Sequence, residues 1–269
     1  MTTIATFYRF ADFNDYEAWR TPLRKMMDEH DVRGTILLAP EGLNSTISGP
    51  AESVKLVLDH LQTDKRFADL DVKYSIDTDH PFAKPKVKLK KSIITMGDIE
   101  TPDAVCISGK QCTPQEWDAL VDDPDVAILD TRNEYETYLG TFENAILWPM
   151  RSFSEIIEKV QTTFDKTQKI AMFCTGGVRC EKLSSWMLQN GYENLYQLEG
   201  GIVRYLEQTP EAKSKWIGSC YVFDERIAVG HGNKPAKDVS LCPNCDHPLL
   251  ESDRNHPAYL PAIQCGHCA

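Results

Sequence analysis

Cys174 begins the run Cys174-Thr175-Gly176-Gly177-Val178-Arg179, between an apolar strand, Ile170 to Phe173, and a helical stretch that starts near Arg179. A cysteine where a strand ends and a helix starts faces the helix's unpaired N–H groups. Two glycines let the loop turn further N–H groups toward the sulfur. Such a site favours an anion, either the thiolate itself or the terminal sulfur of a persulfide carried on it, and Arg179 is expected to add a fixed positive charge at the rim. The competing reading is a buried structural cysteine followed by a turn, but a core cysteine has no need of a Gly-Gly-x-Arg sequel at a helix start. Cys180 reads either as a resolving partner for an oxidised Cys174 or as the first buried residue of the helix. The Cys174 thiol is expected to ionise well below the ordinary value of about 8.5.

A second constellation lies in the tail. Cys242-Pro243-Asn244-Cys245 and Cys265-Gly266-His267-Cys268 are separated by 19 residues, the spacing at which two knuckles close four thiolates around one structural zinc. Free thiols or a redox pair are the alternative. His247 and His267 could substitute as ligands, but four cysteines already complete a shell, so both read as surface histidines. Nine cysteines, an odd number with some in C-x-x-C pairs, suit a reduced, cytoplasmic protein rather than a disulfide framework. Cys106, Cys112 and Cys220 default to packing.

The formal charge of −11 argues against a protein that coats nucleic acid without selectivity. The charge is uneven, however. Residues 1–95 hold 14 basic and 14 acidic side chains, residues 96–210 hold 9 and 19, and residues 211–269 hold 6 and 7. The near-neutral first part carries Lys84, Lys86, Lys88, Lys90 and Lys91. If Val87 and Leu89 point inward from a strand, Lys86, Lys88 and Lys90 share the opposite face, where they either track phosphates or protect a solvated edge. Arg9 interrupts the short apolar start, so no secretory leader is expected, and no stretch is long enough to span a membrane. Neither G-x-G-x-x-G nor G-x-x-x-x-G-K occurs, so no dinucleotide or P-loop site is signalled.

The length of 269 residues allows two or more domains. Ile4 to Phe10 reads as a strand, Asp15 to His30 as a helix, Gly34 to Ala39 as a buried strand, and Ser45 to Ser48 as its successor after a turn at Pro40 to Asn44. A helix from Glu52 to Leu61 and a strand around Val72 to Ile76 complete a β-α-β-β-α-β order, that of a ferredoxin-like α+β domain over residues 1–91. Residues 92–112 read as a linker. Capping boxes at Thr113-Pro114-Gln115-Glu116 and Ser152-Phe153-Ser154-Glu155 open helices in a second domain, 113–215. Its apolar runs Val126 to Leu129, Ala145 to Leu147, Ile170 to Phe173 and Leu195 to Leu198 alternate with helical segments. That alternation predicts an α/β fold, a parallel sheet with helices on both faces and Cys174 at its carboxyl edge, where such sheets place ligands. Residues 216–269 form a small extension, zinc-ribbon-like if the knuckles bind metal.

Within this frame, the segment around Cys174 resembles a rhodanese domain. Val126-Ala127-Ile128-Leu129-Asp130-Thr131-Arg132, Glu134-Tyr135, Gly140, Asn144 to Pro149, the Cys174 loop and Leu198-Glu199-Gly200-Gly201-Ile202 follow in that family's order. The resemblance implies that a loop of six residues holds a persulfide and one of seven a phosphate. Cys174 through Arg179 makes six, and phosphate would need one more backbone N–H. With Glu41-Gly42-Leu43-Asn44-Ser45-Thr46-Ile47-Ser48-Gly49 before it, Cys180-Glu181-Lys182 beside it and Cys220-Tyr221-Val222-Phe223-Asp224-Glu225-Arg226 after it, nearly the whole chain resembles the bacterial tRNA uridine hydroxylase family. Ser45 and Val178 stand where that family would be expected to carry glycine and isoleucine.

The resemblance implies a tRNA-modifying oxidoreductase that converts a wobble uridine to 5-hydroxyuridine. Cys174 would be the catalytic, persulfide-capable residue with Arg179 at its side, tRNA the partner and molecular oxygen the co-substrate; it names no electron source. Two other readings compete. One is a rhodanese-type sulfurtransferase moving sulfane sulfur from thiosulfate or a persulfide donor, and the other is a non-catalytic, zinc-bearing adaptor, which the presence of Cys174 disfavours.

Overall fold

The computed structural model describes residues 1–97 and 107–269. Its first unit runs β1 (Thr2–Phe10), α1 (Tyr16–Glu29), β2 (Arg33–Ala39), β3 (Gly42–Gly49), α2 (Ala51–Gln62), β4 (Lys73–Asp77) and β5 (Pro85–Leu89). The strands lie in the order β4-β1-β3-β2-β5. The first four pair antiparallel, the ferredoxin-like arrangement that the element order predicts, and β5 adds to β2 in parallel at the edge. Period-two alternation divides the sheet into two faces. Ala5, Phe7, Ile36, Leu38 and Val87 join Leu23 and Met27 of α1 and Val54, Val57 and Leu61 of α2 in one core. Thr6, Tyr8, Thr35, Asn44, Thr46 and Lys88 lie on the other face, which neither helix covers.

The second unit contains β6 (Lys110–Cys112), α3 (Pro114–Asp122), β7 (Val126–Asp130), α4 (Glu134–Thr137), β8 (Gly140–Phe142), α5 (Ile156–Thr163), β9 (Lys169–Phe173), α6 (Val178–Gln189), β10 (Asn194–Leu198) and α7 (Gly201–Gln208). Strands β6, β10, β9 and β7 form a parallel sheet in that order. Along β9, Ile170 and Met172 pack with Ile156, Val160 and Leu183 of α5 and α6. Ala171 and Phe173 pack on the opposite face with Trp117, Ile202 and Tyr205 of α3 and α7. Both faces are therefore covered, and the end of β9 delivers Cys174 to the carboxyl edge. The expected capping box on α3 is formed, with Thr113 accepting from the Glu116 N–H at 3.4 Å and Glu116 accepting from the Thr113 N–H at 2.9 Å.

Two sequence expectations change here. Lys110–Cys112, read as linker, is the edge strand β6 of the second sheet; three residues are too few to show periodicity, and only pairing with Tyr196 to Leu198 defines them. Ala145 to Leu147 makes a single parallel bridge, Leu129 to Ile146, and is not a full strand. The early part of the same linker is packed as well, since Ile93 and Met96 are buried in separate clusters. Cys106 and the middle of the linker lie outside the described residues.

The remaining chain forms three short ladders. β11 (Trp216–Gly218) pairs with β8, β12 (Cys220–Tyr221) with β13 (Ala228–Val229), and β14 (Ser240–Leu241) with β15 (Pro248–Leu249). Trp216 closes the aromatic core under Phe142 and Phe173. The extension is thus joined to the second unit from its first residue.

The open face of the first sheet turns toward the second unit, and specific contacts hold them together. Lys182 of α6 donates to Glu41 at 2.8 and 3.0 Å, to Ser92 Oγ at 2.8 Å and to the Ile94 carbonyl at 2.8 Å. Tyr8 donates to Glu181 at 2.8 Å. Phe10, Ala39 and Ile93 fill the seam beside Val178, while Arg204 pairs with Asp71 and Arg226 donates to Ser75. The Lys182 and Glu41 side chains are 4% and 11% exposed, so removing either leaves a buried charge unpaired. Lys182→Met should therefore lower stability by about 3 kcal/mol in urea unfolding. The double variant with Glu41→Gln should lose less than the two single losses added together; full additivity would show that the pair is not coupled.

Candidate active site

Cys174 is buried at the end of β9, and the Gly177 N–H donates to its sulfur at 3.1 Å from the start of α6. Gly177 adopts φ +104°, a left-handed conformation suited to glycine, and a Cβ there would meet the Tyr8 hydroxyl at 2.9 Å. From the far side, α7 donates Ile202 N–H to the Cys174 carbonyl at 3.0 Å and Val203 N–H to the Thr175 carbonyl at 3.1 Å. Gly201, also left-handed at φ +67°, makes that approach possible; a Cβ on it would lie 2.6 Å from both loop carbonyl oxygens. The Gly200-Gly201 turn read in the sequence is thus the clamp on the Cys174 loop.

Arg179 does not stand at the rim. Its guanidinium is buried and makes a two-pronged ion pair with Glu136 at 2.6 and 2.8 Å, with Thr175 Oγ1 3.3 Å away. Burial raises the Glu136 carboxyl, but the Arg179 charge and hydrogen bonds outweigh it and hold the group ionised below its ordinary range. A bare cation so deep would be costly, which is why the expected exposed charge is instead half of a pair. Arg132 repeats the device beneath, bonding Asp130 at 2.7 and 2.9 Å and the carbonyls of Glu136 and Gly140. Sequence reading singled out Asp130 and Arg132 but passed over Glu136. Its signal was the Asn133-x-x-Glu136 spacing: Glu136 accepts from the Asn133 N–H at 3.1 Å, as a helix-start carboxylate does.

Burial on its own would push the Cys174 thiol up. The Cys180 thiol, the Arg179 charge and the N–H groups of Cys180 and Gly177 together overcome that and bring it down to about 5. Cys180 itself is buried, 3.6 Å from Thr131 Oγ1, and its own thiol is pushed well up by burial and by the neighbouring Cys174. The pair therefore holds one proton, with the anion on Cys174.

Above the loop lies a cavity of about 510 Å³ between the two units, bounded by the open face of the first sheet, the Cys174 loop and Val222 to Arg226 of the extension. Lys88 and Lys90 reach it, as the alternation of β5 predicts. Lys84, Lys86 and Lys91 do not line it, although Lys86 shares the strand face of Lys88. Val178 and Gly176 line it beside Cys174 and Thr175. Sequence reading missed Lys73, which is 5% exposed, lies over the Tyr8 ring at 5.1 Å and pairs with Asp71 at 3.0 Å; burial lowers its ammonium. Only the fold brings that lysine to the cavity.

In the tail, the sulfurs of Cys242, Cys245, Cys265 and Cys268 all lie within 4.8 Å of one another, with separations of 3.7 to 3.8 Å for three of the pairs. A tetrahedron of thiolates about 2.3 Å from a zinc ion has edges of about 3.8 Å. His247 and His267 lie outside this set. They stack at 3.9 Å and both meet the edge of Tyr138, which follows α4 and also bonds Asp253; His267 is exposed, as expected, while His247 is half-buried where the cysteine module docks. Cys112 and Cys220 are buried packing residues, as expected.

The lowered thiol has a measurable consequence. The rate of Cys174 alkylation by iodoacetamide should follow its thiolate, level above about 5 and falling tenfold per pH unit below it. Cys180→Ala should move the midpoint upward, whereas Cys180→Ser, which keeps a donor, should hold it low. Because the folded thiol ionises below its unfolded value of about 8.5, the anion's contribution to stability is present above that value and is lost as pH falls through about 5.

Residues 2–93 match the UPF0176 acylphosphatase like domain, and residues 113–208 match the rhodanese-like domain. Among solved structures, a rhodanese-like domain protein from Staphylococcus aureus is 31% identical, covering 36% of this chain and 90% of that chain with a TM-score of 0.31. SSP1007 from Staphylococcus saprophyticus subsp. saprophyticus is 26% identical over 36% of this chain and 92% of its own, also at a TM-score of 0.31. A curated relative from Acaryochloris marina (strain MBIC 11017), tRNA uridine(34) hydroxylase, is 45% identical over 266 residues, 97% of this chain and 84% of that protein. A match of that identity over nearly the whole chain spans both units, and the chain belongs to the tRNA uridine(34) hydroxylase family.

Proposed function

We infer that this protein hydroxylates the wobble uridine of tRNA at C5 with molecular oxygen as co-substrate, and that Cys174 is the reacting sulfur. The observation that carries the reading is the cavity between the two units, with an ionised thiol at its floor and Lys73, Lys88 and Lys90 on its wall. A nucleotide turned out of an anticodon loop brings a flat base and phosphates, and such a cleft suits both. Addition of the thiolate to C6 of uracil would push the C5=C6 electron pair toward C5; one atom of O2 would then go to C5 and the other to water with two electrons from an external reductant, and loss of the C5 proton would expel the thiolate and restore the double bond. Arg179 acts in this reading by holding the loop and lowering the thiol, and Cys180 by donating to it. A first domain ending near residue 91, a connector that gives way to β6 at Lys110, a second domain reaching residue 215 and an extension over 216–269 belong to the same proposal, with the N-terminal domain gripping RNA and the second domain supplying the thiol. No described helix is long and apolar enough to cross a membrane, and a cytoplasmic site of action follows from a tRNA substrate.

The test is to measure nucleosides in tRNA from wild-type cells, a deletion strain and a Cys174→Ser strain by mass spectrometry. Loss of 5-hydroxyuridine and its derivatives in both altered strains is expected. Loss of thiolated nucleosides instead would assign the six-residue loop to sulfur transfer, and full modification in Cys174→Ser would remove the cysteine from the chemistry.

The four tail cysteines are proposed to hold one structural zinc, since their sulfurs already stand at the edge lengths of such a shell. Elemental analysis should find one zinc per chain, lost in Cys242→Ser. Chelation should expose the module to protease and free His247 from Tyr138, leaving the remaining two units folded; a full zinc content in Cys242→Ser would overturn the assignment.

A further inference from the structure

Two residues that line the cavity, Asn133 and Asn233, each hold a buried side-chain oxygen that no described residue satisfies. Asn233 is 3% exposed and lines the same cavity as Cys174. Its Nδ2 donates to the Val203 carbonyl at 3.1 Å, which fixes which end of the amide is which, because a carbonyl accepts only from the NH2 end. Oδ1 is then left buried with no hydrogen-bond partner among the described residues. A buried carbonyl oxygen without a donor is costly, and where the group lines a ligand cavity the missing donor is most simply supplied by the ligand.

Its place in the fold says which part of a ligand it meets. Val203, whose carbonyl holds the Asn233 amide, gives its own N–H to the Thr175 carbonyl, so Asn233 is tied through one residue to the Cys174 loop. The ring that reacts with Cys174 must sit against that loop, with its ribose and phosphates toward the lysines of β5. Uracil presents an N–H at N3 on its Watson–Crick edge, whereas cytosine presents a bare acceptor nitrogen there. An oxygen that can only accept is satisfied by the first and opposed by the second. Asn233 holds φ +55°, a left-handed conformation that asparagine tolerates better than most residues, and its hydrogen bond to Val203 fixes the side chain.

We propose that Asn233 is the specificity-determining residue of this cavity, its Oδ1 accepting the N3–H of the uracil base and excluding cytosine. The inference rests on the hydroxylase reading above, but it concerns which base is admitted and not what is done to it.

The test uses the full chain and fluorescence anisotropy with anticodon stem-loop RNAs that differ only at the wobble base. The wild-type protein should bind the uridine RNA at least about tenfold more tightly than the cytidine RNA, the worth of one buried hydrogen bond with its mismatch penalty. Asn233→Gly, chosen because glycine adopts the left-handed backbone without strain, should bring that ratio close to one mainly by weakening the uridine RNA. Lys88→Ala should weaken both RNAs alike and leave the ratio intact. A protein-independent check replaces the wobble base by 3-methyluridine, which lacks the donor and should bind the wild-type chain about as poorly as cytidine. Wild-type affinity for 3-methyluridine equal to that for uridine, or an unchanged ratio in Asn233→Gly, would overturn the assignment. A preference lost on 2′-deoxyuridine instead would do the same by giving Oδ1 to the ribose. If the wild-type chain binds none of these RNAs, the tRNA reading itself falls, an outcome separate from any change in the ratio.

Discussion

The buried ion pair between Arg179 and Glu136 holds the active-site geometry. It joins the first turn of α6 to α4 at 2.6 and 2.8 Å, and the Cys174 loop is the chain that runs up to it. Neither charge is tolerable there alone, so the pair must form completely or the loop cannot pack. Once formed, it sets the direction of α6, and with it the Gly177 N–H that meets the sulfur. The Arg132–Asp130 pair beneath it anchors the Glu136 and Gly140 carbonyls, so the support is itself supported. The Arg179 charge reaches Cys174 through this arrangement without being exposed.

The second constraint is the ferredoxin-like sheet with helices on one face only. A bare sheet face must be solvated, covered or used. Here its polar residues face the rhodanese-like unit across a cavity, and the seam is closed at its edges by Lys182 with Glu41 and by Tyr8 with Glu181. The residues of the sequence stretches Glu41 to Gly49 and Arg179 to Lys182 meet in that seam. A thiolate held by one unit is thereby placed opposite the lysines of the other, an arrangement that neither could make alone.

The extension after residue 215 serves as a brace. Its first strand completes the aromatic core around Phe142, its middle supplies the cavity wall from Val222 to Arg226, and its cysteine module rests on Tyr138 of the α4 segment. Glu136 lies in that helix, two residues before the contact. The tail is thus mechanically connected to the residue that orients Arg179.

Much of this was legible in the residues. The strand–Cys–Gly–Gly–helix pattern located the sulfur that meets the N–H at the helix start because backbone N–H direction is a local property, and the two C-x-x-C spacings located the four-sulfur cluster. The alternation around Val87 and Leu89 put Lys86, Lys88 and Lys90 on one face, and of these Lys88 and Lys90 line the cavity. Other features were closed to the sequence because they exist only as contacts. Arg179 reads as a free cation until Glu136 is seen against it, and Lys110 to Cys112 reads as linker until β10 supplies its partner. Lys73, Tyr8 and Asn233 are unremarkable on their own strands and turns, and they become cavity residues only through packing between distant segments. The sequence by itself determined the chemistry available at Cys174 and the two architectures that frame it. Tertiary structure decided which charges are paired, which lysines face the thiolate and where the cavity lies, because desolvation and ion pairing depend on neighbours far apart in the chain.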